Sequence, residues 1–364
     1  MRNICFIIST FKKSGPINIV YSIAKFLERE KFNLYVISLS ATNVSDNNMV
    51  EDFKSLGATT FELKNGRVGG FVKNKREVKQ ILIENKIDIV HTHGLRPDGL
   101  VHGLRIKSKH ISTLHNYPFE DYPMKFGGFK GSLMAAYHFW IIKRMRNCVA
   151  CSKSLSTKFT DRGLKNVKYI QNGVDLTVFP KELIQHECRE SLKLPLDKKI
   201  FIFIGSLIPR KSPIETIQKF IQQGTNMDFC LLVLGDGFLR DQCEAIKDEN
   251  VILMGNVDNV KPYLFASDYF ISLSKSEGLP NTVMEAMAAK LPVILSEIPS
   301  HREIIDINRQ AGILVNDNNF YKKVQELVTS DYKSYSNAAF NIVSSTLNAK
   351  VMAENYEKFY LKLT

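Results

Sequence analysis

No run of apolar residues in this 364-residue chain reaches the ~18 that a membrane-spanning helix needs. The apolar start, Ile4 to Ser9, is too short for a secretory signal, and Lys12, Lys13 and Gly15 follow it at once. A soluble or surface-bound protein is expected. Cysteine is scarce, at six residues, which excludes a disulfide scaffold and points to a reducing cytosol. Cys148 and Cys151 have redox spacing but sit in an apolar run, so they are expected as buried strand residues, and no second such pair offers a zinc site. Glycine is never arranged as G-x-G-x-x-G, which argues against a dinucleotide dehydrogenase.

Charge is present in excess and unevenly. The net charge is +12, with 28 Lys/Arg against 14 Asp/Glu in residues 1–180 and 21 against 23 in residues 181–364. The first half therefore suits an anionic partner such as nucleic acid or anionic lipid. No recognised nucleic-acid module or regular aromatic-basic motif accompanies it. Basic stretches lie at Lys64–Lys79 and in the aromatic, glycine-rich segment 117–130, expected as a mobile loop, where Lys125, Phe126, Phe129 and Lys130 fall close together. The helix that follows carries Trp140 and ends in Lys143, Arg144 and Arg146. It suits a membrane interface, or equally a core helix with a charged C-terminus.

Short apolar runs alternate with helical spacing along both halves. Arg2–Ser9 is predicted as a strand, Ser14-Gly15-Pro16 as a tight loop, Ile17–Leu27 as a helix and Leu34–Leu39 as the next strand. Ile87–Gly94 and Ile111–Asn116 are strands ending in histidines: His91 and His93 in one, His115 in the other. No third ligand stands near His91 and His93, so zinc is not favoured there. The pattern restarts at Ile200–Ile204. This order predicts two parallel-sheet α/β domains with right-handed crossovers. Residues 1–180 form the first, 181–198 a polar linker and 199–340 the second, with 341–364 a C-terminal helix.

The most informative stretch runs from Ser272 to Ser296. A buried strand, Tyr269–Leu273, leads through Gly278 and Pro280 into a helix from Thr282, and then into a strand at Pro292–Leu295. Such loops leave the carboxyl ends of strands, where open α/β sheets bind ligands, and a helix N-terminus there offers N–H groups to phosphate. Glu277 lies in the loop and Glu285 about two turns into the helix, so both can face one cleft. Two acids with seven residues between them carry no signal alone; their surroundings do.

Glu277-Gly-Leu-Pro, Glu285-Ala-Met-Ala and Pro292-Val-Ile together resemble the donor-sugar motif of the retaining, GT-B-fold glycosyltransferases of family four, or group 1, of the bacterial surface-polysaccharide type. The likeness extends over nearly the whole chain. Ser14-Gly15-Pro16 resembles the family's glycine loop, with Ser14 in place of its first glycine. His91-Thr-His93-Gly94 and His115 match its histidine strand ends, and Gly205-Ser206-Leu-Ile-Pro-Arg210-Lys211 its diphosphate loop, with Ser206 where the family has arginine. Ser300 and His301 stand where the family has small residues.

The resemblance implies two Rossmann-like domains facing an interdomain cleft, acceptor in the first and nucleotide-sugar in the second, with the last helix crossing back to the first. It implies His115, Lys211 and Glu277 as catalytic. Donor contacts are implied for Gly15, Gly205, Ser206, Arg210, Lys211, Asn256, Val257, Glu277, Gly278, Leu279, Pro280, Asn281, Thr282 and Glu285. Glu285 is assigned to the ribose and Glu277 and His115 to the sugar. There is no Asp-x-Asp to hold Mg²⁺ on a diphosphate, so transfer without metal or other cofactor is expected. The donor is expected to be a UDP-sugar and the acceptor a saccharide or lipid-linked saccharide, with an anionic membrane surface as a further partner of the basic half and no nucleic acid. A sugar-nucleotide epimerase, hydrolase or phosphorylase shares the fold, and a sugar- or nucleic-acid-binding protein is the non-enzyme alternative.

Overall fold

A computed structural model describes residues 1–41, 47–64, 71–165, 167–180, 183–224 and 228–363; residues 65–70 of the first basic stretch lie outside them. Two sheets organise the chain. The first contains β1 (Arg2–Ile8), β2 (Phe32–Ser38), β3 (Thr59–Glu62), β4 (Ile89–His93), β5 (Lys109–Leu114), β6 (Cys148–Ala150) and β7 (Lys168–Tyr169), in the order 3-2-1-4-5-6-7. The second contains β8 (Lys199–Ile204), β9 (Phe229–Leu234), β10 (Val251–Gly255), β11 (Tyr269–Ser272), β12 (Val293–Ser296) and β13 (Gly312–Val315), in the order 10-9-8-11-12-13. The pairings are parallel throughout. Ile4 to Ile8 are all buried, as a strand covered by helices on both faces requires. In each sheet the strand order reverses once, between β1 and β4 and between β8 and β11. Those reversals are the crevices where such sheets bind ligands.

Two units result: Met1–Gly173 with Ala349–Thr364, and Val174–Asn348. The terminal helix Ala349–Leu363 packs Met352, Tyr356, Phe359 and Tyr360 into the core of the first unit, beside Ile4, Phe6 and Phe32. A single C-terminal helix over 341–364 was expected. It is instead two, Tyr332–Ser345 and Ala349–Leu363, and the break falls where Val174 and Asn348, the first and last residues of the second unit, pair as a parallel bridge. The expected linker is largely folded into the second unit. Its helix Gln185–Ser191 buries Arg189, whose guanidinium bonds Ala266 O at 2.8 Å, Lys198 O at 3.0 Å and Asp268 Oδ2 at 2.6 Å. Composition could not show that anchor, because a single arginine holds it.

The segment expected as a loop at 117–130 is also structured. Helix Pro118–Phe126 meets helix Gly128–Ile142 at Gly127, whose φ is +85°. Gly131 lets the two helices touch, since a Cβ there would stand 2.3 Å from Tyr122 O. A buried polar chain fixes both helices to the sheet. Tyr122 Oη lies 2.7 Å from His138 Nδ1, His138 Nε2 lies 2.8 Å from Asp98 Oδ2, and Ser112 donates to the same oxygen at 2.9 Å. The first helix of the chain begins at Gly15 rather than Ile17, because Pro16 is tolerated in a helix's opening turn. All six cysteines are free and buried.

Candidate active site

In the second unit the site is built at the carboxyl ends of β8 and β11. After β8, Gly205 and Leu207 are locked by backbone bonds to the β9 loop: Gly205 N to Leu234 O at 3.0 Å and Leu207 N to Asp236 O at 2.9 Å. That loop needs its glycines. A Cβ on Gly235 (φ +133°) would stand 1.9 Å from Gly205 O, and one on Gly237 would stand 2.4 Å from Leu207 O. Gly235-Asp236-Gly237 thus braces the 205–211 loop. The loop ends in a short helical turn, Pro209–Lys211.

That turn delivers two cations to Glu277, which follows β11. Lys211 Nζ lies 2.5 Å from Glu277 Oε1 and Arg210 Nη1 lies 2.8 Å from Oε2. Arg210 Nη1 also donates to Ser276 O at 2.8 Å, and Lys275 N donates to Arg210 O at 2.8 Å. The carboxylate is 6% exposed. Burial alone pushes its proton affinity up, but Lys211 and Arg210 outweigh that and hold its pKa at about 2. The triad therefore carries one net positive charge, with Gly205 beside the Lys211 stem. The role of Ser206 as a missing arginine gains a physical counterpart here, since Arg210 occupies the loop's end.

The remaining residues follow in order. Leu279 is buried, Pro280 is the N-cap and makes no side-chain cap hydrogen bond, and Asn281 and Thr282 open helix Asn281–Ala288. Glu285 is half-buried on the helix's second turn. Gly278 lies in the intervening loop. Asn256 and Val257 follow β10, and Gly255 O receives Gly235 N at 2.8 Å, tying that strand end to the glycine loop. Two further polar groups lie close by. Ser300 Oγ and His301 Nε2 are buried without a hydrogen-bond partner among the described residues. His301 Nδ1 is 3.0 Å from Ser296 O, and burial pulls the ring's pKa down to about 4, so it is neutral at pH 7.

In the first unit His115, just past β5, lies with its Nε2 2.9 Å from His93 Nδ1 and its ring stacked on that of His93. Burial drags His115 down to about 4 and His93 well below the ordinary value, so the two neutral rings share one hydrogen bond. His93 Nε2 is buried without a hydrogen-bond partner among the described residues. His91 is occupied on both nitrogens, by Tyr360 Oη and Thr113 Oγ1, each at 2.7 Å. It is a packed histidine. Gly15 begins the helix after β1, at the same edge of the sheet as His93 and His115. The pairing of His93 with His115 joins two strands adjacent only in space, and the single signal for it was that both strands end in histidine.

Residues 14–178 match the model of Glycosyltransferase Family 4, and residues 198–330 match that of Glycosyl transferases group 1. The chain belongs to this glycosyltransferase family. Its two Rossmann-like units are those of the GT-B architecture. The chain is 27% identical over 317 residues to the O-antigen biosynthesis glycosyltransferase WclY of Escherichia coli, covering 83% of this chain and 82% of that one. It is 24% identical over 303 residues to the UDP-Gal:alpha-D-GlcNAc-diphosphoundecaprenol alpha-1,3-galactosyltransferase of E. coli, covering 77% and 75%. Among solved structures, sucrose-phosphate synthase from Thermosynechococcus elongatus superposes with a TM-score of 0.83 at 18% identity, over 100% of this chain and 99% of the other. The positions expected from the sequence lie at the carboxyl ends of strands in the two sheets.

Proposed function

We propose that this glycosyltransferase moves a hexose, with retention of anomeric configuration, from a UDP-sugar to a lipid-linked saccharide during assembly of a bacterial surface polysaccharide. The observation that carries the reading is the Arg210–Glu277–Lys211 triad, set between a glycine-braced loop and the start of helix Asn281–Ala288. The named relatives support the substrate class: one takes UDP-Gal and a diphosphoundecaprenol-linked sugar, and the other serves O-antigen biosynthesis.

In this reading the acceptor hydroxyl attacks the anomeric carbon from the leaving-group side as the bond to the diphosphate breaks, and its proton passes to the departing phosphate oxygen. The charge growing on that oxygen is met by Lys211, Arg210 and the N–H groups at Asn281 and Thr282. Glu277, ionised, orients Lys211 and accepts a sugar hydroxyl. Glu285 binds the ribose, and Asn256 and Val257 meet the base. His115, aligned by His93, binds the sugar. No cofactor and no metal are required, since the counter-charge is supplied by side chains. The basic first unit, with Lys125 and Lys130 beside Phe126 and Phe129, rests on an anionic membrane surface. No helix among the described residues is long and apolar enough to cross a membrane, so this attachment is peripheral.

The test is a screen of nucleotide sugars for thermal stabilisation, followed by transfer in EDTA with the hit and NMR of the new linkage. Stabilisation by a UDP-sugar, full activity in EDTA and a retained anomer are expected. An inverted product, or activity restored by Mg²⁺ after EDTA, would overturn the mechanism.

A further inference from the structure

A basic depression in the first unit lies away from the residues assigned to transfer. About 340 Å³ in volume, it is lined by Lys107, Lys109, Arg144 and Arg146, with His102 and His110 in its wall and no Asp or Glu. None of the four cations has a carboxylate partner among the described residues. Arg144 spends one donor on Trp140 O at 3.1 Å and lays its guanidinium 3.8 Å over the Trp140 ring, which leaves its other N–H groups for a ligand. Asn147 Nδ2 holds His110 O at 3.1 Å and Ser108 Oγ holds Ile87 O at 2.6 Å, so both flanks of the depression are braced to the sheet.

Its position separates it from the transfer site. Lys109 and His110 open β5, whereas His115 follows the other end of that strand. Five residues of strand place the two about 16 Å apart. Burial keeps both wall histidines below their ordinary proton affinity, and the Arg144 charge presses further on His102. Four positive charges without a carboxylate partner among the described residues, in a concave site of this volume, suit an anion of more than one charge.

We propose that this depression is a second anion site, which binds a phosphate or diphosphate group at the amino-terminal edge of the first sheet, independently of the donor diphosphate. The group has two available sources, a phosphate-bearing lipid headgroup or a free phosphate compound. Trp140, Tyr137, Leu133 and Phe129, exposed by 44, 50, 59 and 83%, continue along one side of helix Gly128–Ile142 from the wall of the depression. An amphiphile would engage both.

The test is calorimetric titration with inorganic pyrophosphate, with excess UDP present to fill the donor site. One binding event is expected, weakened at least about tenfold in Arg144→Gln/Arg146→Gln, because each lost charged hydrogen bond is worth that much. The thermal melt of the double variant should match wild type; should it not fold, Lys107→Gln/Lys109→Gln on the opposite wall serves instead. Phosphatidylcholine vesicles containing phosphatidic acid form the second arm. Competition with pyrophosphate identifies the lipid source, and its absence the soluble one. No pyrophosphate binding, or binding unchanged in both double variants, would overturn the proposal.

Discussion

Replacing Glu277 by Gln should separate donor-site stability from nucleotide affinity. The substitution keeps the side-chain shape but strands Lys211 and Arg210, whose side chains are only 14% and 13% exposed. Removing one partner of a buried ion pair costs about 3–5 kcal/mol. The depression of Glu277 from 4.5 to about 2 converts to roughly 3 kcal/mol at pH 7, the same order. In a unit of this size that is about 6–12 °C in melting temperature. UDP should then stabilise the variant more than wild type, because the diphosphate takes over the charge that Glu277 had balanced. Transfer should fall, since the sugar hydroxyl loses its acceptor. The assay is differential scanning calorimetry of both proteins with and without UDP. An unchanged melting temperature, or equal UDP stabilisation, would refute the argument that Glu277 holds the two cations in reserve.

Glu285→Ala should weaken donor binding about tenfold to 100-fold, the worth of hydrogen bonds to a carboxylate; unchanged affinity by calorimetry removes Glu285 from the site. Stability should decline as pH falls from 6.5 toward 4. His110, His115 and His301 each have folded-state affinities near 4 against an ordinary 6.5, so the unfolded chain takes up protons that the folded one refuses. The slope is about 1.4 kcal/mol per pH unit for each histidine, and urea titrations at pH 7, 6 and 5 that show no loss would contradict these assignments. Flotation on anionic vesicles should occur at low salt and weaken in Lys125→Glu/Lys130→Glu. Failure to float, with full activity on a water-soluble acceptor, would sink the membrane contact.

Much of the second unit was legible because its signals are local. Glu277, Gly278, Pro280 and Glu285 lie within nine residues, on one loop and the helix after it, so the motif that resembles the family's donor-sugar site can be read in one short stretch. Lys211 and Arg210 were named as diphosphate groups, but their common bond to Glu277 joins positions more than sixty residues apart and depends on the pairing of β8 with β11. The Gly235 brace was missed for the same reason: its need for glycine comes from Gly205 O, a neighbour in space. The 117–130 segment looked like a loop because Pro118, Pro123 and paired glycines suppress helix signals. Tertiary bonds through Tyr122, His138 and Asp98 overrode them.

The central claim is that the Lys211–Glu277–Arg210 site transfers sugar from a nucleotide donor to a saccharide carried on a lipid diphosphate. Acceptor-dependent UDP release measures it directly. The enzyme would be given a UDP-sugar with EDTA present, with and without a polyprenyl-diphosphate-linked sugar. UDP release that requires the lipid-linked sugar, matches the saccharide formed mole for mole and drops at least tenfold in Lys211→Ala is expected. UDP release at the same rate without acceptor, or none with any UDP-sugar, would contradict it.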